Sequence, residues 1–187
     1  ITWNNWNDLE ENNGLYARYG VRGIPHFVLI SPEGKVVDSW SGYAKGWLKL
    51  KIKGSMAPKQ PMRIEWKDGH KLVHHPRKKT EKMEVLTIRQ VELTNSATVL
   101  RVHARYIPNY WIRLDKATFL MSDKGVNYPL LRSEGFAMGE QVFMPDSGEM
   151  DFTLYFAPLP KDTRWFDFSE GEHVEGGYYI EGIRLTE

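Results

Sequence analysis

Beyond residue 62 the apolar and polar positions of this chain mostly alternate, which is the period of a β-strand. Met62-Arg-Ile-Glu-Trp66 alternates, Asp68-Gly69 has the residues of a tight turn, and Lys71-Leu72-Val73 leaves it as a second strand. A polar loop over 74–82 precedes a long strand from Met83 to Leu93. Thr94-Asn95-Ser96-Ala97 then turns into a strand from Thr98 to Tyr106. Pro108-Asn109 breaks the chain before Tyr110–Leu114, and strand-like runs follow at 118–122, 126–131, 141–144, 150–156, 164–168 and 178–185. Short strands with turn signals about every 8–12 residues predict an antiparallel sandwich or barrel, and no helix is expected in this part.

The first third of the chain has a different pattern. Asn13 or Gly14 caps a short expected helix carrying Leu15, Tyr16, Ala17 and Tyr19, with Gly20 as its stop. An apolar run, Phe27 to Ile30, follows Pro25, and Ser31-Pro32-Glu33-Gly34 supplies a proline to pre-set φ and a glycine to accept a positive φ. Lys35 to Trp40 leaves that turn as a strand, so the segment predicts a β-hairpin. Residues 43–53 fit two patterns. Leu48, Leu50 and Ile52 alternate with Lys49, Lys51 and Lys53 as in a strand, whereas Ala44, Trp47, Leu48 and Ile52 fall near one face of a helix. Gly54 to Pro61 is small, polar and proline-containing, and is expected to be a linker. The expected division is therefore 1–53, a linker 54–61, and a β-domain 62–187.

Composition changes this picture little. The 187 residues suffice for one large or two small cores, and 7 Trp, 9 Tyr and 8 Phe with 16 Gly lean towards strands and turns. No apolar run approaches the roughly 20 residues of a membrane helix, so no membrane span is expected, and no targeting leader is visible at Ile1. Charge adds an asymmetry. Residues 44–82 carry 12 Lys and Arg against 3 Asp and Glu, while 1–43 sum to −2 and 83–187 to −6. Most decisive for chemistry is the count of zero cysteines, which removes disulfides, thiolate metal sites and cysteine nucleophiles together.

Gly23-Ile24-Pro25, the apolar strand, Pro32-Glu33-Gly34-Lys35 and a second strand ending near Gly42 resemble the second half of a thioredoxin-like domain. The closest type is the envelope thiol-disulfide oxidoreductase group of TlpA and ResA, within the AhpC/TSA-like proteins. The resemblance covers about residues 1–53. It implies a last helix over 43–53, and helix is the expectation there. It also implies a cis peptide bond at Pro25, with Ile24, Pro25 and His26 forming a substrate-side wall for an extended thiol or disulfide substrate. The redox Cys-x-x-Cys motif of that family would lie upstream of Ile1, so this chain itself is expected to be redox-inert. The later segment resembles, more loosely, a β-sandwich module of Bacteroidetes-type thioredoxin-like proteins, through Tyr110-Trp-Ile-Arg113, Met144-Pro-Asp-Ser-Gly-Glu149, Phe152–Phe156 and Phe166-Asp-Phe-Ser-Glu-Gly171. By resemblance the location is the periplasm or cell envelope. The expected fold class is α+β: a partial thioredoxin-like α/β segment followed by a mainly antiparallel β-sandwich.

Other candidate chemistry is weaker. His70, His74 and His75 cluster beside Asp68, and on a helix His70 and His74 would share a face and could hold a metal, but Asp68-Gly69 and Pro76 put them in a hairpin and loop, so no metal and no cofactor are expected. Arg77-Lys78-Lys79 accompanies no nucleic-acid motif and is expected to be solvated, without nucleic acid as a partner. The acidic sets Asp146/Glu149/Asp151 and Glu170/Glu172/Glu175 match no calcium loop. Tyr106, Tyr110, Trp111, Trp165, Tyr178 and Tyr179 exceed what a small sandwich must bury. Core packing is their default, and a ligand-contacting platform is the alternative. Two functions follow from these features. One is a truncated, redox-inert relative of an envelope oxidoreductase. The other is a non-enzymatic module that contacts a protein or glycan, which an exposed aromatic cluster beside a cleft would favour. A hairpin with short helices buries too little apolar surface to fold alone. Residues 1–53 are therefore expected to pack on the sandwich, or on the same segment of a second chain in a homodimer.

Overall fold

The computed structural model describes residues 14–79, 85–171 and 177–187. The expected strand end at 1–3 and the start of the 83–93 strand lie outside them. Contacts divide the chain into two compact units, Ile1–Met56 and Ala57–Glu187.

The first unit contains α1 (Leu15–Arg18), β1 (His26–Ile30), β2 (Val36–Ser41) and α2 (Trp47–Met56). The turn Ser31–Lys35 closes through Gly34 N–H donating to the Ser31 carbonyl at 2.9 Å, with Gly34 at φ 79°. Phe27 and Trp40 stack across the hairpin, ring centroids 5.4 Å apart. The ambiguous stretch is helical, and Lys51 shows why. Its ammonium donates to Asp38 of β2 at 2.9 Å and lies 5.2 Å and 5.3 Å from the ring centroids of Trp40 and Trp47. A strand would keep positions 47 and 51 on one face but about 13 Å apart, whereas one helical turn brings them within about 6 Å of each other. The helix continues through Gly54, Ser55 and Met56, into the stretch expected to be a linker.

The second unit contains β3 (Arg63–Lys67), β4 (His70–His74), β5 (Leu86–Leu93), β6 (Thr98–Arg105), β7 (Trp111–Ile112), β8 (Phe119–Ser122), β9 (Asn127–Glu134), β10 (Val142–Phe143), β11 (Glu149–Phe156), β12 (Trp165–Ser169) and β13 (Tyr179–Arg184). Nine of these form one antiparallel sheet in the order β13-β12-β8-β9-β11-β6-β5-β4-β3, and β7 pairs with β10. Alternation sets the two faces. Leu100, Val102 and Ala104 of β6 stand opposite Leu154, Phe152 and Met150 of β11 on the core side. Arg101, His103 and Arg105 stand opposite Thr153, Asp151 and Glu149 on the outer side.

The α+β expectation is overturned. Among the described residues, thirteen strands and two helices make a β-rich chain, and the strands of the first unit, β1 and β2, pair antiparallel with each other. An α/β segment needs parallel strands joined across a helix, and a turn as short as Ser31–Lys35 cannot make that connection. Instead of a sandwich of two sheets, the second unit has one continuous sheet curled on itself. Strand β9 makes it continuous: Asn127–Pro129 pairs with β8, and Leu130–Glu134 with β11, the handover falling at a proline that has no N–H to give to either ladder. The curl is measurable. Phe156 of β11 and Phe168 of β12 are three strands apart, about 14 Å in a flat sheet, yet their ring centroids lie 6.2 Å apart. After β4, His75 N–H donates to the Arg89 carbonyl of β5, while the Arg77 carbonyl accepts from Arg184 N–H of the edge strand β13. Only Pro76 separates these contacts, and two residues span at most about 7 Å. The β13 edge of the sheet therefore approaches the β4–β5 side at this corner.

Candidate ligand groove

The pair β7–β10 sets Ile112 opposite Val142 and Trp111 opposite Phe143. Ile112 is buried and Val142 packs on the core, so the pleat turns Trp111 and Phe143 outward, where they are 45% and 64% exposed. Tyr110 precedes them and is 56% exposed. Its carbonyl accepts from Met144 N–H at 2.7 Å, and its own N–H donates to the Ile107 carbonyl. The bend before it is made by Asn109 at φ 63°, whose side-chain amide donates to Asp146 at 3.0 Å. Tyr106, at the end of β6, is held by its N–H on the Gly148 carbonyl.

Tyr106, Tyr110 and Trp111 share with Tyr178 a groove of about 680 Å³, with Val85, Arg113 and Asp115 also on its walls. That volume lies within the range of small-ligand sites. Glu170 joins the walls. Its carboxylate is buried and accepts from Asp115 N–H through Oε1 at 3.0 Å and from Tyr178 N–H through Oε2 at 2.8 Å. Its own N–H donates to the Tyr178 carbonyl. Asp115 in turn accepts from Ala117 N–H and, at 3.5 Å, from the Arg113 guanidinium. The Tyr178 phenol is pushed up to about 12, first by burial and then by the neighbouring Tyr106 and Glu170, so it is a neutral hydroxyl donor at ordinary pH. The groove thus offers aromatic faces, one guanidinium, two carboxylates and a neutral phenol. Glu170 commits each of its oxygens to one backbone N–H group.

The residues expected to form a substrate wall lie in the first unit. The Ile24–Pro25 peptide bond is cis. The Pro25 carbonyl already accepts from Gly42 N–H at 2.8 Å, Ile24 is 78% exposed, and His26 is bonded through its two ring nitrogens to the hydroxyls of Ser41 and Ser39. Ile24 and His26 share a depression of about 230 Å³ with Leu15, Tyr16 and Tyr19 of the α1 region. His70 and His74 sit at opposite ends of β4 and donate to different carboxylates, Glu92 at 2.7 Å and Glu65 at 2.9 Å. Among the described residues no three such ligands converge on one point. Asp146, Glu149 and Asp151 are likewise spent separately, on Asn109, Arg105 and Arg89. Glu172 and Glu175 lie outside the described residues.

Of the six flagged aromatics, Tyr106, Tyr110, Trp111 and Tyr178 come together, whereas Tyr179 donates its hydroxyl to buried Asp167 at 2.7 Å and Trp165 lies elsewhere. Sequence reasoning missed Arg113, Asp115 and the clamping role of Glu170. The one visible signal was Glu170 inside an acidic run. It also left His103 without a role, although this buried ring donates through Nδ1 to Asp151 at 2.9 Å. No protein-family model matches the chain, and neither a curated protein nor a solved structure matches it significantly.

Proposed function

We propose that this chain is a non-enzymatic binding module whose β-rich unit holds a segment of glycan in the aromatic groove. The observation that supports it is the convergence of Tyr106, Tyr110, Trp111 and Tyr178, from separate stretches of chain, beside the Arg113–Asp115 pair. A sugar ring presents C–H faces that pack on aromatic faces, and hydroxyls that need both donors and acceptors at the edges. Trp and Tyr supply rigid contact area, while Arg113, Asp115 and the Tyr178 hydroxyl supply polar partners. Glycoside hydrolysis needs two available carboxyl groups flanking the bond. Here Glu170 braces the backbone through both of its oxygens, a structural role that favours holding a ligand over cleaving it.

Affinity electrophoresis of the full chain through gels containing neutral polysaccharides tests this. Retardation by at least one polysaccharide is expected, lost in Trp111→Leu and Tyr110→Ala and kept in the distant His70→Gln. No retardation across the panel, or retardation indifferent to Trp111, sinks the proposal.

A second proposal concerns the first unit alone: that it derives from envelope thiol-disulfide oxidoreductases and is inert because the chain has no cysteine. Its support is the Gly23-Ile24-Pro25 stretch and the hairpin that follows. A disulfide-containing peptide that shifts the NMR signals of Ile24 and His26 would favour it, and one that leaves them unmoved would count against it.

A further inference from the structure

A second cleft, of about 570 Å³, lies against β13 and shares no residue with the aromatic groove. Phe166, Phe168, Ile183 and Leu185 point into the core, so alternation turns Trp165 and Arg184 to the outer face. The register sets Trp165 opposite Arg184. On the other side of β13, Arg184 N–H donates to the Arg77 carbonyl at 2.7 Å, so Arg77 is its next neighbour. Trp165, Arg184 and Arg77 thus form a row across three adjacent segments, and all three line the cleft.

The charges in the cleft are unequal in their partners. Lys79 is paired with Glu181. Among the described residues, neither Arg77 nor Arg184 has a hydrogen-bonded carboxylate, and the Trp165 ring contacts no other ring. The lining carries four cationic side chains, Arg77, Lys78, Lys79 and Arg184, against the two carboxylates of Glu181 and Glu187. Like charges at adjacent cross-strand positions repel, and an oxyanion placed between them relieves that repulsion. Guanidinium forks match the oxygens of phosphate or sulfate in pairs, and an indole face beside them suits a flat ring.

We propose that the Trp165–Arg184–Arg77 row binds a small molecule carrying a phosphate or sulfate group on a ring, with the oxyanion between the two guanidiniums and the ring against Trp165. The test is a calorimetric titration of the full chain with phenyl phosphate, phenyl sulfate, inorganic phosphate and phenol. Saturable binding of phenyl phosphate or phenyl sulfate is expected, tighter than phosphate or phenol alone, and the preferred ester identifies the oxyanion. Arg77→Gln and Arg184→Gln should each weaken it by roughly tenfold, with Arg184→Lys intermediate. Trp165→Phe should weaken the aryl esters and leave inorganic phosphate unchanged, and Lys116→Gln, past the Ser169 end of β12, should change nothing. Absence of saturable binding, or binding indifferent to both arginine substitutions, overturns the proposal. So does a single-stranded oligonucleotide that binds more tightly than either ester, which would make this a nucleic-acid surface. The outcome is separate from that of the glycan proposal, because the two clefts have no side chain in common.

Discussion

Replacing Glu170 by Gln changes almost no volume and removes one charge, so it isolates what the carboxylate does for the groove. In the native chain its two oxygens accept from Asp115 N–H and Tyr178 N–H at 3.0 Å and 2.8 Å. A glutamine keeps one acceptor and turns its NH2 towards the other backbone donor. One hydrogen bond to a charged group disappears, at about 1.5–3 kcal/mol, and the surviving bond becomes a neutral one, worth about 1 kcal/mol less. Glu170 is only 6% exposed, so water does not stand in for the lost acceptor. The expected cost is therefore about 3 kcal/mol. With a urea dependence of about 2 kcal/mol per molar, the unfolding midpoint of the β-rich unit should fall by about 1.5 M. Amide hydrogen exchange at Asp115 and Tyr178 should accelerate more than at Leu100 or Leu154 in the sheet centre. A midpoint shift below about 0.3 M, with exchange at both amides unchanged, would refute the clamp.

Three further outcomes follow from features of both units. Tyr178 has its phenol raised to about 12, so its stabilisation is complete below the ordinary tyrosine value near pH 10 and is lost as pH rises from there towards 12. Ultraviolet titration should show this phenol ionising late, and Tyr178→Phe should flatten the alkaline fall in stability. Lys51→Ala removes the cation shared by Asp38, Trp40 and Trp47. A double-mutant cycle with Asp38→Asn should give a coupling of about 1–2 kcal/mol in a stability measurement on the first unit, and a coupling near zero would show the contact to be idle. Gly182 has φ 65°, and a Cβ there would lie 3.2 Å from the Lys79 Cβ. Gly182→Ala should cost about 1 kcal/mol or more by thermal melting and loosen residues 77–79 on β13.

The strands were legible because their cause is local. Alternation and turn residues at Asp68-Gly69, Asn95-Ser96 and Lys124-Gly125 mark strand ends without knowledge of partners. The pairing was not legible. That β9 divides itself between β8 and β11 at Pro129 depends on which strands meet it, and this decides between two sheets and one curled sheet. At residues 43–53 the alternating lysines argued for a strand. The helix wins through the contacts of Lys51 with Asp38 and Trp40, which no periodicity records. The site was half legible. Tyr106, Tyr110 and Trp111 stand close together in sequence, but their meeting with Tyr178 required the fold, and Glu170 looked like one more surface carboxylate until both of its oxygens found backbone donors.

The corner at Pro76 bears on how the chain is made. Residues 77–79 leave the ribosome well before their hydrogen-bonding partner β13, since Lys79 and Glu181 are separated by 102 residues. At about 5–20 residues per second, roughly 5–20 s pass before that partner exists. During this interval Leu120 of β8 and Phe156 of β11 are already synthesised, while Ile180 and Ile183, which help seal the same core, are not. The nascent β-rich unit therefore holds an open apolar interior and an unmatched backbone strip until β13 is delivered, which makes the wait for that strand its most chaperone-dependent moment.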